Sequence, residues 1–478
     1  PALNIENMNP LLKKMEFAVT GPLVIRAMQI EKELASGAEK SFTRLIKTNL
    51  GDAHAMGDTP ITFIRQVLSL LTYPPLLEFE MFPADAKQRA QEILASCRGS
   101  SVGSYSEGTG IELIRKHVAD YINSRDGYPS DWEDVFLCAG ATEGIRVCLK
   151  LIANSENGSV TRTGVMIPIP QYPLYSACLT EHNMDQVGYY LEETNNWSLD
   201  PSALERAFKS SNNSLNIRAI VVINPGNPTG QVLSRQNIED IIRFAHKNGL
   251  MVFADEVYQH NVYSANSKFH SFKKVMSEMG HPFNMIQLVS FMSCSKGYMG
   301  ECGLRGGYFE IVNISAEVRK ILTKFTSSMM CPTIIGQACL DMVVNPPRPG
   351  DPSYSMWKTE VDDCLASLKR RGEMIAESFN KIEGVHCNPV QGAMYAFPQV
   401  LLPEKAIAAA QASGQEPDVF YAFKLLESTG ICVVPGSGFG QLPGTYHFRT
   451  SILPRQEVIQ DLLARFKTFH QDFIKEFS

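Results

Sequence analysis

The stretch Ile217–Gln259, IRAIVVINPGNPTGQVLSRQNIEDIIRFAHKNGLMVFADEVYQ, contains the pattern that decides the fold. An apolar run (Ile217–Ile223) is followed by an amphipathic helical segment (Ser234–Asn248) and a second apolar run (Met251–Ala254). Short continuous apolar runs are typical of strands buried on both faces of a parallel sheet, and the helix between them supplies the crossover connection. This unit therefore predicts an open α/β sheet, in which ligands bind beyond the carboxyl ends of the strands.

The same alternation extends on both sides of this unit, from about residue 85 to about residue 355. Further strands are predicted at Val135–Cys138, Gly164–Ile167 and Ile286–Met292, with helices at Arg146–Ala153 and Ala316–Lys324. The alternation predicts a large domain whose mostly parallel sheet is flanked by helices on both faces.

The chain outside this region has a different pattern. Residues 10 to about 40 are predicted as helix, and the stretch Asn345–Pro352 (NPPRPGDP) is a strong breaker. After the breaker, helices are predicted at Met356–Asn380 and Arg455–Phe477, and short strands at Met394–Phe397 and Ile431–Val434. We therefore predict three regions: an N-terminal arm with part of a small domain at 1–84, the large domain at 85–355, and a smaller α+β domain at 356–478.

Composition and charge exclude several classes of protein. The 478 residues include 44 Lys+Arg and 50 Asp+Glu, a formal net charge of -6, so a nucleic-acid or anionic-membrane partner is not expected. The longest strongly apolar runs, such as Ala219–Ile223, are far shorter than the roughly 20 residues that span a membrane. None of the 11 cysteines lies in a CxxC pair, which predicts reduced thiols and no metal site. A cytoplasmic protein is expected, or a protein of the mitochondrial matrix if a leader precedes Pro1.

Four loops that follow predicted strands carry residues suited to chemistry. After Val135–Cys138 come small residues and Thr142 at the start of a helix, which can bind an anion through free N–H groups. After Ile217–Ile223 comes the rigid loop NPGNPTG, with two Asn-Pro steps. Asp255 ends the strand at Met251–Ala254, and a buried carboxylate there needs a cationic partner. Each feature alone also fits a structural role, such as a glycine turn or a helix N-cap.

The fourth loop, Ser293-Cys294-Ser295-Lys296-Gly297, places a lysine directly after a strand. Alone it could be a solvated lysine, but an anion cradle, an acid and a lysine after separate strands together meet the needs of pyridoxal phosphate. That cofactor requires a lysine for a Schiff base, an acid for its ring nitrogen and donors for its phosphate. A dinucleotide site is not favoured, because the run Gly436–Gly440 leads into Gln-Leu-Pro-Gly rather than a helix. HExxH and a nucleophile elbow are also absent from the sequence.

The chain resembles the fold-type I, pyridoxal phosphate-dependent aminotransferases, and most closely their alanine aminotransferase branch. The motifs that carry the resemblance extend over nearly the full length: TNLGDAHAMGDTPITFIRQV (Thr48–Val67), MIPIPQYPLYSA (Met166–Ala177), NPGNPTGQV (Asn224–Val232), ADEVYQ (Ala254–Gln259), SKGYMGECGLRGGY (Ser295–Tyr308), QGAMYAFP (Gln391–Pro398), PGSGFGQ (Pro435–Gln441) and HFR (His447–Arg449). The sequence has Gly140-Ala141-Thr142 where the branch usually has Gly-Ala-Ser, and threonine keeps the hydroxyl. The resemblance implies the aspartate aminotransferase-like fold.

The resemblance also implies a role for each cofactor-binding residue. Lys296 would hold pyridoxal 5'-phosphate and act as the catalytic base, and Asp255 would pair with the pyridine nitrogen. Asn227 and Tyr258 would hydrogen-bond the phenolic oxygen, and Tyr172 would stack on the ring. The phosphate would be held by Ala141, Thr142, Ser293 and Arg305, and by Tyr105 from the neighbouring subunit of a homodimer.

For the substrate, the resemblance implies that Arg449 clamps the α-carboxylate, with Asn227 and the backbone of Gly51 nearby. The implied reaction is reversible: L-alanine gives up its amine and leaves as pyruvate, and 2-oxoglutarate then becomes L-glutamate in a ping-pong mechanism. Two alternatives stay open at the level of the sequence. One is a transaminase of aromatic or kynurenine type, or a lyase of the aminocyclopropane type. The other is a non-catalytic, aminotransferase-like ligand-sensing domain, which the retained Lys296 and Asp255 argue against.

Overall fold

The protein is described by a computed structural model that covers residues 2–154 and 161–478. The strands of these residues are β1 (Ile46–Lys47), β2 (Val135–Cys138), β3 (Arg162–Ile169), β4 (Asp185–Tyr190), β5 (Leu215–Ile223), β6 (Met251–Asp255), β7 (Leu288–Ser293), β8 (Gly307–Val312), β9 (Val385–His386), β10 (Tyr395–Ala396), β11 (Gln399–Val400), β12 (Ile431–Cys432), β13 (Val434–Pro435) and β14 (Phe448–Ser451).

The helices of the same residues are α1 (Pro10–Lys14), α2 (Pro22–Ala35), α3 (Thr62–Thr72), α4 (Ala84–Ser96), α5 (Glu112–Asp126), α6 (Ala141–Ile152), α7 (Leu174–Glu181), α8 (Pro201–Ser211), α9 (Arg235–Asn248), α10 (Phe272–Met279), α11 (Ala316–Ser328), α12 (Ile334–Val344), α13 (Tyr354–Phe379), α14 (Glu404–Ala412), α15 (Pro417–Thr429) and α16 (Gln456–Phe477). In the described part of the chain, no helix is both long and apolar enough to cross a membrane.

A seven-stranded sheet forms the centre of the protein, in the order β2-β8-β7-β6-β5-β3-β4. All neighbouring pairs are parallel except the two that involve β8, which is antiparallel to β2 and β7. Every residue of β6 and β7 is buried, as expected of strands covered on both faces. The predicted strands between 135 and 292 are confirmed, and the carboxyl ends of β2, β5, β6 and β7 lie at one edge.

Two features of the sequence prediction are wrong. The single helix predicted at residues 10–40 is divided into α1 and α2, with a short 3-10 turn (Ala18–Thr20) between them. Pro22 starts α2 at its first turn, where the fixed φ of proline is tolerated, but a proline inside a continuous helix would break it. Strands β4 and β8 were not predicted; in β4, buried Val187 and Tyr189 alternate with residues that are partly or fully exposed, which is an edge-strand pattern.

The C-terminal part of the chain forms a small three-stranded antiparallel sheet, β10-β14-β13. The N-terminal strand β1 pairs in parallel with β12, through Ile46 with Ile431 and Lys47 with Cys432. This pairing supports our proposal that the region 1–84 contributes to the smaller domain at 356–478. Within the same N-terminal region, α3 shares a hydrophobic core with α12 of the region 85–355.

Candidate active site

A cavity of about 360 Å³ lies at the carboxyl edge of the central sheet. It is within the usual size range of small-molecule sites. Of the residues predicted for the site, the following line it: Gly51, Ala141, Thr142, Tyr172, Asn227, Asp255, Tyr258, Ser293, Lys296, Arg305 and Arg449. Residues from six segments, at or after the ends of β1, β2, β3, β5, β6 and β7, therefore meet a residue of β14, although they are up to about 400 positions apart in the sequence.

One wall of the cavity is built to receive an anion. Helix α6 begins at Ala141, and its N-cap, Gly140, makes no side-chain capping bond. Free N–H groups at a helix N-terminus, together with the helix dipole, favour a negatively charged group. Gly140 has φ of 78°, and a Cβ atom there would lie 2.5 Å from Nη2 of Arg305, so the guanidinium can approach only because this residue is glycine. Arg305 itself donates to the carbonyl oxygens of Cys302 and Ala139.

Asp255 is a buried carboxylate at the end of β6. It accepts a hydrogen bond from the Tyr175 hydroxyl at 2.8 Å and a longer one from the backbone N–H of Val257. Burial raises the pKa of Asp255 to about 6, although these two bonds and the Lys296 ammonium act in the opposite direction. Because its hydrogen bonds and the nearby ammonium offset only part of the cost of burial, this carboxylate is suited to pair with a cation in the cavity.

Lys296 extends into the cavity from the loop after β7. Its Nζ donates to the carbonyl oxygen of Gly51 at 2.8 Å. Burial alone would lower the pKa of Lys296, but the Tyr395 phenol, helped by the Cys302 thiol, raises it above its usual value. Gly51 is required by this close packing, because a Cβ atom there would lie 1.9 Å from the Tyr395 hydroxyl.

Tyr395 was not among the predicted site residues, although it lies within the quoted motif at 391–398. Its hydroxyl accepts from the Tyr258 hydroxyl at 3.2 Å. Burial alone would raise the pKa of Tyr395, but the Lys296 ammonium and the Arg449 guanidinium outweigh it and lower the pKa. Tyr395 thus forms a direct electrostatic link between the lysine and the arginine.

The loop that carries Lys296 is fixed by Asn261, another residue that the sequence did not indicate. The Asn261 side chain accepts from the N–H of Gly297 at 2.9 Å and donates to the Gly297 carbonyl at 3.2 Å. It is fully buried and lies three positions after Tyr258. Both backbone polar groups of Gly297, the residue after Lys296, are therefore held, which orients the lysine toward the cavity.

Arg449 is almost completely buried at the opposite side of the cavity. It donates through Nη1 to Oδ1 of Asn227 at 3.1 Å and through Nη2 to the carbonyl oxygen of Asn49 at 2.6 Å. Its guanidinium lies 4.2 Å from the Tyr395 ring centroid and 4.9 Å from that of Phe439. Nε has no hydrogen-bond partner among residues 2–154 and 161–478. A buried cation with this much donor capacity can receive a carboxylate.

The turn between α1 and α2 also lines the cavity, through Phe17, Val19 and Thr20. Phe17 meets Tyr172 edge to face, with ring centroids 6.4 Å apart. Beside them, a Cβ atom on Gly438 would lie 2.3 Å from Cβ of Ala18, so this glycine permits the turn to reach the cavity. The sequence analysis did not assign these residues to the site, because it predicted a continuous helix there.

The structure does not bring Tyr105 into the cavity of its own chain. Its side chain belongs to the loop before α5 and is exposed. This position agrees in outline with a residue that acts outside its own subunit, and its role stays a prediction.

The donor set of the cavity fits pyridoxal phosphate. The N-terminus of α6, the Ser293 hydroxyl and Arg305 would hold the phosphate, and Asp255 would face the ring nitrogen. Tyr172 offers an aromatic face and Lys296 a primary amine. The sheet and the site together define a pyridoxal phosphate enzyme of the transaminase type.

The chain belongs to the aminotransferase class I and II family, whose model matches residues 73–466. Alanine aminotransferase 2 of Xenopus tropicalis is 53% identical over 478 residues, covering all of this chain and 91% of that protein. Alanine aminotransferase 1 of Homo sapiens is 52% identical over 478 residues, covering all of this chain and 96% of that protein. The family expected from the sequence motifs is confirmed.

Solved structures confirm the fold class. An alanine aminotransferase from Pyrococcus furiosus superposes with a TM-score of 0.76 at 21% identity, covering 98% of this chain and 100% of that one. A single mutant of Thermus thermophilus aspartate aminotransferase gives a TM-score of 0.72 at 18% identity, covering 97% and 99%. At this level of identity the likeness establishes the aspartate aminotransferase-like fold.

The first prediction concerns the stability of the protein stripped of its cofactor. The folded-state pKa of Asp255, about 6, lies above the usual value of 3.8, so the unfolded state releases this proton more readily. Stability is therefore lost as the pH rises from about 4 to about 6, by about 3 kcal/mol in total, and does not fall further above that range. Without cofactor, Asp255→Asn should be more stable than the parent at pH 8 and nearly equal at pH 4, as measured by urea unfolding.

Saturation with pyridoxal phosphate should make the parent protein more stable than Asp255→Asn at pH 8. The ionised Asp255 of the parent would then pair with the protonated ring nitrogen, which the variant cannot do. A neutral variant at an exposed acid on α13, Asp363→Asn, controls for general charge effects. A cofactor-free Asp255→Asn protein that is less stable than the parent at pH 8 would contradict the inference.

Proposed function

We propose that the protein is an alanine:2-oxoglutarate aminotransferase that interconverts L-alanine and 2-oxoglutarate with pyruvate and L-glutamate. The observation that carries this function is the cavity in which Lys296, Asp255 and Arg449 converge in a chain 52–53% identical to alanine aminotransferases over its full length. A ligand-sensing domain without catalysis would not need to keep a buried amine beside a buried carboxylate.

Pyridoxal phosphate supplies, when bound, a reactive carbonyl and an electron-withdrawing ring. The residues of this chain would bind and orient that cofactor. The N-terminus of α6 and Arg305 would anchor the phosphate, and Asp255 would keep the ring nitrogen protonated. Asn227 and Tyr258 would hydrogen-bond the ring oxygen, and Tyr172 would limit movement of the ring.

Lys296 is placed to move the proton of the substrate. Once its Nζ is free, it can take the proton from the substrate Cα, since it lies in the same cavity as the carboxylate-binding arginine. The hydrogen bond from Nζ to Gly51 and the two hydrogen bonds between Asn261 and Gly297 would fix the direction from which the amine acts. Positioning of this kind contributes to the rate by avoiding a search for the reactive geometry.

Arg449 would bind the α-carboxylate of each substrate in turn. A shared carboxylate site means that pyruvate leaves before 2-oxoglutarate enters, which gives ping-pong kinetics. Among the described residues that line the cavity, only Arg305 and Arg449 carry a guanidinium. The first serves the phosphate, and the second serves the α-carboxylate. The methyl side chain of alanine would therefore meet mainly apolar groups such as Phe17, Val19 and Leu50, and the distal carboxylate of 2-oxoglutarate would be met by neutral donors.

The second prediction is the substrate profile that tests this function. The value of kcat/KM should be highest for alanine with 2-oxoglutarate as acceptor, and low for aspartate and phenylalanine. The short side chain of aspartate would place its carboxylate against these apolar groups, whereas 2-oxoglutarate carries its distal carboxylate one carbon further out, and a large ring would lack room. Other small amino acids should react weakly, because a pocket gains only about 1–3 kcal/mol from one methylene group.

Coupled assays of pyruvate and glutamate formation with purified holoenzyme measure the profile directly. Each amino acid should be tested with both 2-oxoglutarate and pyruvate as acceptor. Should aspartate or phenylalanine exceed alanine, the alanine specificity fails, while membership of the transaminase family stands.

We further propose that the enzyme is a homodimer whose subunits share their sites, with Tyr105 reaching the phosphate of the neighbouring subunit. Large apolar side chains are exposed at Tyr73, Phe79, Met81, Tyr105 and Met330, which supports a partner surface on this chain. All 11 cysteines are free, which supports a reducing compartment, the cytoplasm or the mitochondrial matrix if a leader precedes Pro1.

The third prediction tests the shared site. A Tyr105→Ala subunit and a Lys296→Ala subunit, each inactive or weak as a homodimer, should regain activity when mixed. In the heterodimer one site would carry both defects and the other neither, so recovery approaches half the parental activity per exchanged dimer. Subunit exchange is confirmed by native mass spectrometry. Complete exchange without recovery would place Tyr105 outside any shared site.

A further inference from the structure

His447 is a buried histidine two residues before Arg449, and the site described above does not use it. Its Nε2 lies 2.9 Å from both carboxylate oxygens of Glu193, and its Nδ1 lies 2.9 Å from Oε1 of Gln441. The side chain is only 1% exposed. Both ring nitrogens of His447 therefore face oxygen atoms.

The orientation of the Gln441 amide is fixed by its other partners. Its Nε2 donates to the Asp418 carboxylate at 3.2 Å, and its Oε1 accepts from the backbone N–H of His447 at 3.0 Å. If the Gln441 amide were flipped, its oxygen would face the Asp418 carboxylate and its NH2 group would face the backbone N–H of His447. Neither contact would be a hydrogen bond. Oε1 must therefore be an acceptor, and Nδ1 of His447 must be a donor. Nε2 faces the Glu193 carboxyl group, so this contact is a hydrogen bond only when a proton lies between them, on Nε2 or on the carboxyl.

The contact between His447 and Glu193 connects distant parts of the chain. Glu193 belongs to a 3-10 turn (Glu193–Asn195) that follows β4 of the central sheet, whereas His447 leads into β14 of the small sheet. The bond joins residues 254 positions apart. On the other side, Asp418 accepts from the N–H of Ser437, so it holds the loop Gly436–Gln441 as well.

An aromatic path leads from His447 to the guanidinium of Arg449. The His447 ring stacks on Phe397, with centroids 4.8 Å apart and planes 2° from parallel. Phe397 packs edge to face against Phe439 at 5.7 Å, and Phe439 lies 4.9 Å from the Arg449 guanidinium. His447 is therefore connected to Arg449 in two ways. The backbone joins them directly, because they are two positions apart, and the rings of Phe397 and Phe439 form a packed path between their side chains.

We infer that His447 is a positioning residue, which as an imidazolium paired with Glu193 sets the location of the Arg449 guanidinium and hence the affinity for the substrate carboxylate. This inference rests on the proposed function, in which Arg449 receives that carboxylate. His447 does not touch the substrate, so its loss should weaken carboxylate binding in both half-reactions and change the chemical step little.

The test compares two buried histidines in the holoenzyme. His447→Gln keeps a planar polar side chain but cannot donate from two opposite nitrogens. His470→Gln is the matched control, since His470 also has two bonded ring nitrogens, to the Tyr421 hydroxyl and the Glu383 carbonyl, and does not line the cavity. Only His447→Gln should raise KM for alanine and 2-oxoglutarate together, roughly tenfold with kcat within about twofold.

Binding of propionate provides a readout that needs no turnover. Propionate has the carboxylate but no amino or keto group, and its Kd, measured by calorimetry, should rise roughly tenfold in His447→Gln and stay unchanged in His470→Gln. In the parent protein, nitrogen NMR of labelled histidine should show one ring, lost in His447→Gln, with both nitrogens protonated at neutral pH. A neutral ring, or equal propionate Kd in the parent and His447→Gln, would overturn the inference.

If His447→Gln does not fold, Glu193→Ala tests the same link from the other side. It removes the partner of Nε2 and leaves the stack on Phe397 intact, so propionate Kd should rise, and an unchanged Kd would also overturn the inference. These measurements distinguish the role of His447 from the proposed function of the enzyme. A parent enzyme that binds propionate in a His447-dependent manner but transaminates no alanine would refute the proposed function and support the role of His447.

Discussion

Replacing Lys296 with alanine should lower kcat by about 10³-fold or more while leaving the protein folded and able to bind pyridoxal phosphate. The change removes the amine that attaches the cofactor and the base that moves the substrate proton, and a positioned base alone contributes about 10²–10⁴-fold. The phosphate cradle at α6 and Arg305 is untouched, so binding should persist. Single-turnover kinetics with alanine, followed spectroscopically, measure the loss.

Two controls make the result specific to this amine. Borohydride should fix the cofactor covalently to the peptide that contains Lys296 in the parent enzyme and leave the variant unlabelled. Lys150→Ala removes an exposed lysine in the last turn of α6, outside the cavity, and should keep parental turnover. A small primary amine in solution should restore part of the lost rate, since the variant leaves space beside Gly51. Near-parental turnover by Lys296→Ala would refute its assignment.

The sequence was informative where a functional residue directly follows a strand. Asp255 ends β6, and Lys296 comes three positions after β7, so the topology of a parallel sheet was enough to predict that they meet. The anion cradle at Ala141 was predictable for the same reason, because a helix N-terminus follows β2 directly. These positions can be predicted from the order of strands and loops along the chain, together with the rule that the carboxyl ends of parallel strands lie at one edge of the sheet.

The sequence was silent where a contact depends on packing between distant segments. Tyr175 reaches Asp255 across 80 positions, Asn261 reaches Gly297 across 36, and Tyr258 reaches Tyr395 across 137. Each of these residues has an ordinary structural explanation when it is seen alone, as a core tyrosine or a loop asparagine. Only the docking of the small sheet against the central sheet gives Tyr395 its position beside Lys296.

The antiparallel strand β8 shows a second limit. It begins two residues after Arg305, and its apolar residues continue the pattern of the parallel strands, so nothing in its composition indicates the reversed direction. Its insertion between β2 and β7 is what brings the cradle of α6 beside the loop of Lys296. Gly307 allows that approach, because a Cβ atom there would lie 2.7 Å from the carbonyl oxygen of Met292.

Replacing Arg449 with lysine should raise KM for alanine and for 2-oxoglutarate together, by about 10- to 100-fold, with a smaller change in kcat. The guanidinium donates to Asn227 and Asn49 and still has donor capacity, whereas an ammonium is a single point of charge that cannot bind a carboxylate in a bidentate manner. The loss corresponds to about 1.5–3 kcal/mol, the range for hydrogen bonds to charged groups. Steady-state kinetics with each substrate varied in turn measure both constants.

Arg115→Lys is the matched control, because Arg115 is also buried and donates to backbone carbonyls, at Val135 and Glu133, but lies outside the cavity. It should cost stability without changing either KM. The decisive comparison is between the two substrates of Arg449→Lys. A ping-pong enzyme with one carboxylate site must lose affinity for both, since alanine and 2-oxoglutarate present the same group to the same guanidinium. A rise in KM for alanine alone would mean that 2-oxoglutarate is held chiefly by another group, and the single shared site would have to be abandoned.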